Sequence, residues 1–132
     1  MLDRATMLET IDAALAARTR GDMEEVGRYL APDARFRIAG DSSRYPDFPA
    51  GPGDMHETVR SLIERVRFHR CERLDAIVEG NRAACRWMID FSIDGGPEGR
   101  TEVCDLWTFD EEGLVTELVQ FVDTGLLARM IP

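Results

Sequence analysis

Three polar side chains that could take part in chemistry, Asp105, Gln120 and Asp123, lie in a stretch rich in β-branched and aromatic residues near the end of this 132-residue sequence. A carboxylate in apolar surroundings is costly unless it is paired, hydrogen-bonded or protonated. Asp105 therefore either pairs with an arginine or a backbone amide, or belongs to a pocket. The Gln120 amide would either orient a ligand carbonyl or form a hydrogen bond across a sheet.

The segment that carries these residues, 101–123, predicts a β-hairpin. Both arms are rich in β-branched and aromatic residues, and the turn 110–113 ends in glycine. Pairing Phe109 with Leu114 places Gln120 opposite Val103. Because side chains alternate along a strand, one face of the hairpin is then largely apolar. That face holds Val103, Asp105, Trp107, Phe109, Leu114, Thr116, Leu118, Gln120 and Val122.

Several large side chains are candidates for lining a pocket beside Asp105. For the tryptophans among them we favour a place in the core, because large aromatic rings dominate core burial. His56 and His69 are interpreted as surface or capping residues, since neither has a triad-like neighbour in the sequence. The ligand-contact candidates are Trp107, Gln120, Leu118, Val103, Phe109, Tyr29, Tyr45, Ile38 and Trp87.

The first half of the sequence predicts helices that would cover the hairpin. Apolar residues at helical spacing indicate a helix over 4–20, and a second helix begins at Asp22 and stops at Pro32. A strand over 34–39 and a proline-rich loop over 40–53 follow, and the loop is a plausible flap. A third helix spans 55–67.

The second half of the sequence changes to an alternating pattern from residue 70 onward. A tight turn at 79–82 pairs two strands, placing Leu74 beside Trp87 and Asp75 across from Arg86. Helices followed by strands with short turns predict one α+β domain over 1–132, with the helices on one face of an antiparallel sheet. Segment 124–131 is either a short helix or an extended tail.

The composition and net charge limit the classes of binding partner and the cellular compartment that we expect for this protein. A net charge of −9 argues against nucleic acid and anionic membrane surfaces. The three cysteines have no metal-ligand spacing and indicate a reducing environment. No leader or membrane-spanning stretch is recognisable, so a cytoplasmic protein is expected. Neither a metal nor a cofactor is expected.

The order of elements and several motifs resemble the nuclear-transport-factor-2-like superfamily, in particular its SnoaL-like and ketosteroid-isomerase-like branch. The resemblance rests on GD at 21–22, LAPDA at 30–34, DLWTFDEEG at 105–113 and FVDT at 121–124. It implies a cone, in which a curved, mainly antiparallel sheet wraps around three N-terminal helices and leaves a mostly apolar pocket. It also implies a homodimer through the outer sheet face.

The predicted hairpin register supports that interface, because it leaves apolar side chains on the outer face of the sheet. These are Met88, Cys104, Leu106, Val115, Val119 and Phe121.

Two positions match catalytic residues of the related enzymes. Asp105 matches the oxyanion-hole aspartic acid of ketosteroid isomerases, but their general base falls near Ile38 and is missing, which argues against that activity. Asp123 matches the acid or base of SnoaL-like cyclases and limonene epoxide hydrolases. The arginine that epoxide hydrolysis requires is absent near Asp90. For Asp123 we favour a helix N-cap.

Three functions remain open from the sequence. The first is a cofactor-free isomerase, cyclase or dehydratase that acts on an apolar carbonyl compound, with Asp105 as acid and Asp123 as base. The second is a dimeric ligand-binding or accessory domain without chemistry. The third is an adaptor that binds another protein through the sheet face.

Overall fold

Residues 2–132 are described by a computed structural model, in which helices pack against one face of a mostly antiparallel sheet. This confirms the predicted α+β class. The helices are α1 (Arg4–Arg20), α2 (Met23–Gly27), α3 (Met55–Arg65) and α4 (Thr124–Met130). The strands are β1 (Leu30–Ile38), β2 (Gly53–Asp54), β3 (Val66–Glu79), β4 (Arg82–Ile93), β5 (Gly99–Phe109) and β6 (Val115–Phe121).

The six strands form an open sheet in the order β2-β1-β6-β5-β4-β3. β1 and β6 run parallel, and the other neighbours are antiparallel. The connection between the parallel strands spans most of the chain, so β6 is inserted between the first strand and the hairpins. Helix α1 packs on β3 and α3 packs on β1, which places the core between these helices and the inner face of the sheet.

Aspartates begin the helices as the sequence predicts. The Asp22 carboxylate accepts a hydrogen bond from the Glu25 backbone N–H at 3.1 Å, and Asp54 accepts from the His56 N–H at 3.1 Å. The predicted end of α2 is wrong, because the helix stops at Gly27 and Pro32 lies inside β1. Pairing of β1 with β6 competes with a short helix that has few hydrogen bonds of its own.

The predicted register of the β5–β6 hairpin is wrong by two residues. Asp105 faces Gln120 directly, and Trp107 faces Leu118. The turn accounts for one residue of this shift: Phe109 pairs with Val115 rather than Leu114, and the Asp110 carboxylate accepts hydrogen bonds from the backbone N–H groups of Glu112 and Leu114, at 2.9 and 3.0 Å. A β-bulge directly after Val115 adds the second residue. A shift of two residues leaves the alternation unchanged, so Asp105 and Gln120 still lie on the inner face.

A β-bulge near the start of β6 overturns the placement of Val115 on the outer face. Thr108 pairs with Glu117 but Phe109 pairs with Val115, so one residue of β6 is left without a partner. The extra residue reverses the alternation, and Val115 is fully buried.

A second bulge lies in β3. Asp75 faces Arg86 as predicted, but the pairing of Leu74 with Trp87 is wrong, because Arg73 faces Trp87 and Leu74 is displaced outward. The expected ion pair with Asp75 is replaced: an Arg86 nitrogen lies 3.4 Å from a Glu102 carboxylate oxygen on β5.

Over residues 2–132, the helices are too short or too polar for any of them to cross a bilayer.

Candidate functional site

A cavity of about 100 Å³ lies between the helices and the inner face of the sheet. All four helices and strands β1, β3, β4, β5 and β6 contribute to its wall, and most of the wall is apolar. Four polar side chains also line it, namely Arg18, Thr101, Gln120 and Asp123. An apolar cavity with a few polar groups is the usual form of a small-molecule site.

Five of the predicted ligand-contact residues line this cavity: Ile38, Val103, Trp107, Leu118 and Gln120. They come from β1, β5 and β6, so the predicted inner face of the hairpin does form part of the wall. The Gln120 residue is half-buried and lies directly opposite Asp105 on the neighbouring strand.

Four other predicted contact residues lie elsewhere in the core. Phe109 and Trp87 are buried but do not line the cavity, and Tyr29 is partly buried against the core and does not line it either. Tyr45 is also buried away from the cavity and packs edge-on against Phe48, with 6.0 Å between ring centres.

The loop over 40–53 closes one side of the cavity through the Phe48 ring, which is buried and lines the wall. The backbone N–H of Ile38 donates to the Ala50 carbonyl at 2.7 Å, which ties the loop to β1. Gly51 allows this close approach: its φ is +73°, and a Cβ atom there would collide with the Phe36 carbonyl oxygen.

Asp105 is fully buried and is hydrogen-bonded to two indole rings rather than to an arginine. Its Oδ1 accepts from the Trp107 Nε1–H at 2.7 Å and from the Trp87 Nε1–H at 3.1 Å. Its Oδ2 has no hydrogen-bond partner among residues 2–132. Asp105 does not line the cavity, but Trp107, which it holds, does.

Burial raises the pKa of Asp105 to about 7. The cause is loss of hydration of the charged carboxylate, which the two indole N–H groups and the nearby Gln120 amide oppose only in part. Near neutral pH the group is therefore poised between its protonated and ionised forms. The thiols of Cys71 and Cys85 lie close enough for Asp105 to affect them. Burial, aided by this carboxylate, raises the pKa of each thiol to about 12.

Asp123 both caps a helix and lines the cavity. Its Oδ1 accepts a hydrogen bond from the Leu126 backbone N–H at 3.0 Å, which makes it the N-cap of α4. The residue is exposed to solvent, so its carboxylate lies at the cavity mouth. The two interpretations of Asp123 from the sequence are thus geometrically compatible.

Arg18 is a cavity residue that the sequence analysis overlooked. Its side chain is buried, its Nη2 donates to the Val66 carbonyl at 2.7 Å, and its guanidinium lies 3.9 Å from the centre of the Phe68 ring. The sequence holds a signal for this position. Arg18 follows Ile11 by seven residues and Ala14 by four, which places it on the apolar stripe of α1.

Neither histidine reaches the cavity. The His56 Nε2 lies 3.0 Å from the Ala31 carbonyl oxygen, and the His69 Nε2 lies 2.9 Å from the Ser92 hydroxyl. Across residues 2–132, histidine, cysteine, aspartate and glutamate side chains form no cluster of three that would suit a metal ion.

The fold and the apolar cavity define a known class of small α+β domain. A sequence model described as "SnoaL-like domain" matches residues 11–118. The chain belongs to the SnoaL-like family, which confirms the resemblance seen in the sequence. A search of curated proteins found no match.

Solved structures with the same fold cover nearly the whole chain. An NTF2-like protein of unknown function from Burkholderia pseudomallei has a TM-score of 0.78 at 21% identity, with 96% of this chain and 97% of that chain covered. A putative isomerase from Bacillus subtilis has a TM-score of 0.81 at 11% identity, covering 98% and 95%. TerC, co-crystallised with polyporic acid, has a TM-score of 0.76 at 17% identity, covering 95% and 97%. At these identities the likeness establishes the fold.

Proposed function

We propose that this protein binds a small apolar carbonyl compound in the cavity and catalyses its isomerisation, cyclisation or dehydration by acid–base chemistry. The observation that carries the proposal is the apolar wall interrupted by Gln120 and Asp123. An apolar cavity of about 150 Å³ holds benzene. The cavity of about 100 Å³ is smaller than that, so a compound built on one ring would fill it and extend to its mouth at Asp123.

In this proposal Gln120 and Asp123 meet the ligand directly. The Gln120 amide donates a hydrogen bond to the carbonyl oxygen, which gains negative charge when a proton leaves the neighbouring carbon. The Asp123 carboxylate at the cavity mouth accepts that proton and returns it at another carbon. Such a transfer produces an isomer and consumes no cofactor.

Asp105 has an indirect part in this proposal. Its carboxyl group does not line the cavity, but it fixes the indole of Trp107, which does. A direct role as acid, which the sequence predicts, requires a ligand that displaces Trp107 or Gln120. We therefore assign Asp105 to positioning the wall.

The fold neighbours favour a small-molecule function over the adaptor. One is named a putative isomerase from Rhodopseudomonas palustris, and TerC was crystallised with polyporic acid. These names describe those proteins, and they support a search for activity on small molecules here.

Binding is tested by isothermal titration with acetophenone, a neutral one-ring ketone. Val103→Phe fills the cavity from β5, whereas Leu106→Phe makes the same kind of change on the opposite face of the same strand and serves as the matched control. The proposal predicts that Val103→Phe abolishes binding and that Leu106→Phe leaves it unchanged. Equal binding by wild type and Val103→Phe would place the ligand elsewhere and reject the proposal.

Catalysis is tested by following deuterium exchange of the methyl protons of acetophenone in D₂O by NMR. Asp123→Asn retains a good N-cap but loses the base, so exchange is expected to stop while α4 stays folded. Binding without exchange in the wild type would favour the second candidate, a non-catalytic ligand-binding domain. The use of Asp123 as the cap of α4 is the observation that favours that candidate.

We also propose that two copies pair through the outer sheet face. Its corrected membership is Met88, Cys104, Leu106, Val119 and Phe121. Phe121 is 47% exposed and faces Cys104, which is also exposed, so an apolar surface is available at this point. A cytoplasmic location remains part of the proposal, and the three unpaired thiols support it.

A further inference from the structure

We propose that the compound bound in this cavity carries a carboxylate, which pairs with the guanidinium of Arg18. The inference rests on the proposed small-molecule function and narrows the ligand to an apolar oxo acid. The carboxylate would lie against Arg18, and the reacting carbonyl would lie against Gln120.

Arg18 is a buried cation whose protein partners are all neutral. The residue is 9% exposed, and no Asp or Glu oxygen from residues 2–132 lies within 4.0 Å of its guanidinium. Its contacts are the carbonyl oxygens of Leu62 and Val66 and the ring of Phe68. A buried charge without a counter-ion is costly, so proteins normally pair it.

The guanidinium retains donors for such a counter-ion. Nη2 makes both hydrogen bonds to the carbonyl oxygens, whereas Nε and Nη1 make none within residues 2–132. Because a guanidinium presents its N–H groups in a planar fork, it binds a carboxylate with two parallel hydrogen bonds. Burial lowers the pKa of Arg18 only to about 10, so the side chain is still cationic at neutral pH.

Arg18 and Gln120 lie on different parts of the cavity wall, so they would meet different parts of the ligand. Arg18 contacts Val66 and Phe68 on β3, at one edge of the sheet, whereas Gln120 lies on β6, three strands away. Both residues line the same cavity. A carboxylate and a carbonyl on opposite sides of one ring match this separation better than two adjacent groups.

A purely structural role for Arg18 is the competing explanation. The Leu62 carbonyl lies in the last turn of α3, where a cation is favourable because the helix C-terminus carries partial negative charge. That structural role explains the two hydrogen bonds that Nη2 donates and the burial of the charge. It predicts no preference for anionic ligands.

The test compares 4-acetylbenzoate with its uncharged methyl ester by isothermal titration at pH 7. We expect the acid to bind the wild type at least tenfold more tightly than the ester, as charge-assisted hydrogen bonds provide. In Arg18→Gln the two affinities should become equal. Arg18→Lys, which keeps the charge but loses the fork, should retain part of the preference.

Arg20→Gln is the matched control, because it removes the same charge from an exposed position of the same helix, and it should leave the tenfold preference unchanged. Because Arg18→Gln leaves two carbonyl groups without a donor, its folding is checked by circular dichroism. If Arg18→Gln does not fold, the affinities of the wild type and of Arg18→Lys for the acid and the ester are compared instead. A preference for the acid that is smaller in Arg18→Lys than in the wild type supports the inference, and an equal preference contradicts it.

If acetophenone and the ester bind the wild type as tightly as the acid, the carboxylate inference is overturned and the proposed function stands. If none of the three compounds binds, both are overturned.

Discussion

The indole Nε1–H of Trp107 donates a 2.7 Å hydrogen bond to Oδ1 of Asp105, and this bond connects a cavity-lining ring to a carboxyl group outside the cavity wall. The same oxygen accepts from Trp87, so one atom positions both tryptophans of the chain. A buried carboxyl group used in this way should affect stability more than it affects ligand affinity.

The raised pKa of Asp105 predicts an unusual pH dependence of stability. The unfolded chain releases this proton near pH 4 and the folded chain near pH 7, so the folded state binds more protons between those values. The free energy of unfolding should therefore fall as the pH rises through this window, by up to about 1.4 kcal/mol per pH unit.

Asp105→Asn isolates this contribution. The amide oxygen can still accept from both indoles, but it does not ionise. We expect urea unfolding to show that the variant gains stability over the wild type between pH 4 and pH 7, with a difference that grows with pH and levels off above pH 7. Parallel pH profiles of the two proteins would show that Asp105 titrates normally.

Gly51→Ala should be the most damaging of the simple glycine substitutions in the loop that closes the cavity. The added Cβ would collide with the Phe36 carbonyl oxygen, and φ at this position is +73°. We expect a loss of at least about 2 kcal/mol in thermal or urea unfolding.

Gly80→Ala is the control for this effect. Gly80 also has a positive φ, at +60°, but a Cβ there meets no atom within 4 Å. Gly80→Ala should lower the free energy of unfolding by about 1–2 kcal/mol, which is the cost of the left-handed backbone conformation alone. Equal losses in the two variants would mean that the close approach of Gly51 to β1 has no energetic consequence.

Phe121→Lys should convert the proposed dimer into a monomer. A charged side chain placed on the outer sheet face, opposite Cys104, would be buried without a partner if two copies paired there. Light scattering after size-exclusion chromatography measures the mass. Thr6→Lys, at an exposed position of α1, adds the same charge away from the sheet and should stay dimeric. A monomeric wild type would contradict the proposal.

Asp123→Ala and Asp123→Asn should differ in stability although both remove the carboxylate. Asparagine still accepts the hydrogen bond from the Leu126 N–H, whereas alanine leaves it unpaired. Loss of an N-cap costs about 1 kcal/mol, so the alanine variant should unfold at lower urea concentration. Identical midpoints would indicate that the cap contributes nothing to the fold.

The sequence pattern correctly predicted the fold class and the inner face of the hairpin. It gave the wrong strand register where side-chain hydrogen bonds change the shape of the turn. Asp105 and Gln120 were placed on the correct face because an error of two residues preserves the alternation. One residue of the error arose because the Asp110 side chain widens the turn, and the other comes from the β-bulge near the start of β6; the sequence revealed neither.

The parts of the site that the sequence did not reveal depend on contacts between distant elements. The partners of Asp105 are indoles from β4 and β5, and no spacing rule predicts that both N–H groups converge on one oxygen. Arg18 was overlooked because charged residues on helices usually face water. Its position on the apolar stripe of α1 was the available sign.

The central claim, a cavity that binds a small carbonyl compound, is tested most directly by the indole N–H signals in an NMR titration with acetophenone. The chain has two tryptophans, and Trp107 lines the cavity whereas Trp87 does not, so one serves as the internal control for the other. We predict a saturable shift of the Trp107 signal that clearly exceeds that of Trp87. If the Trp107 signal does not move at saturating ligand, or if both signals move equally, the claim is contradicted.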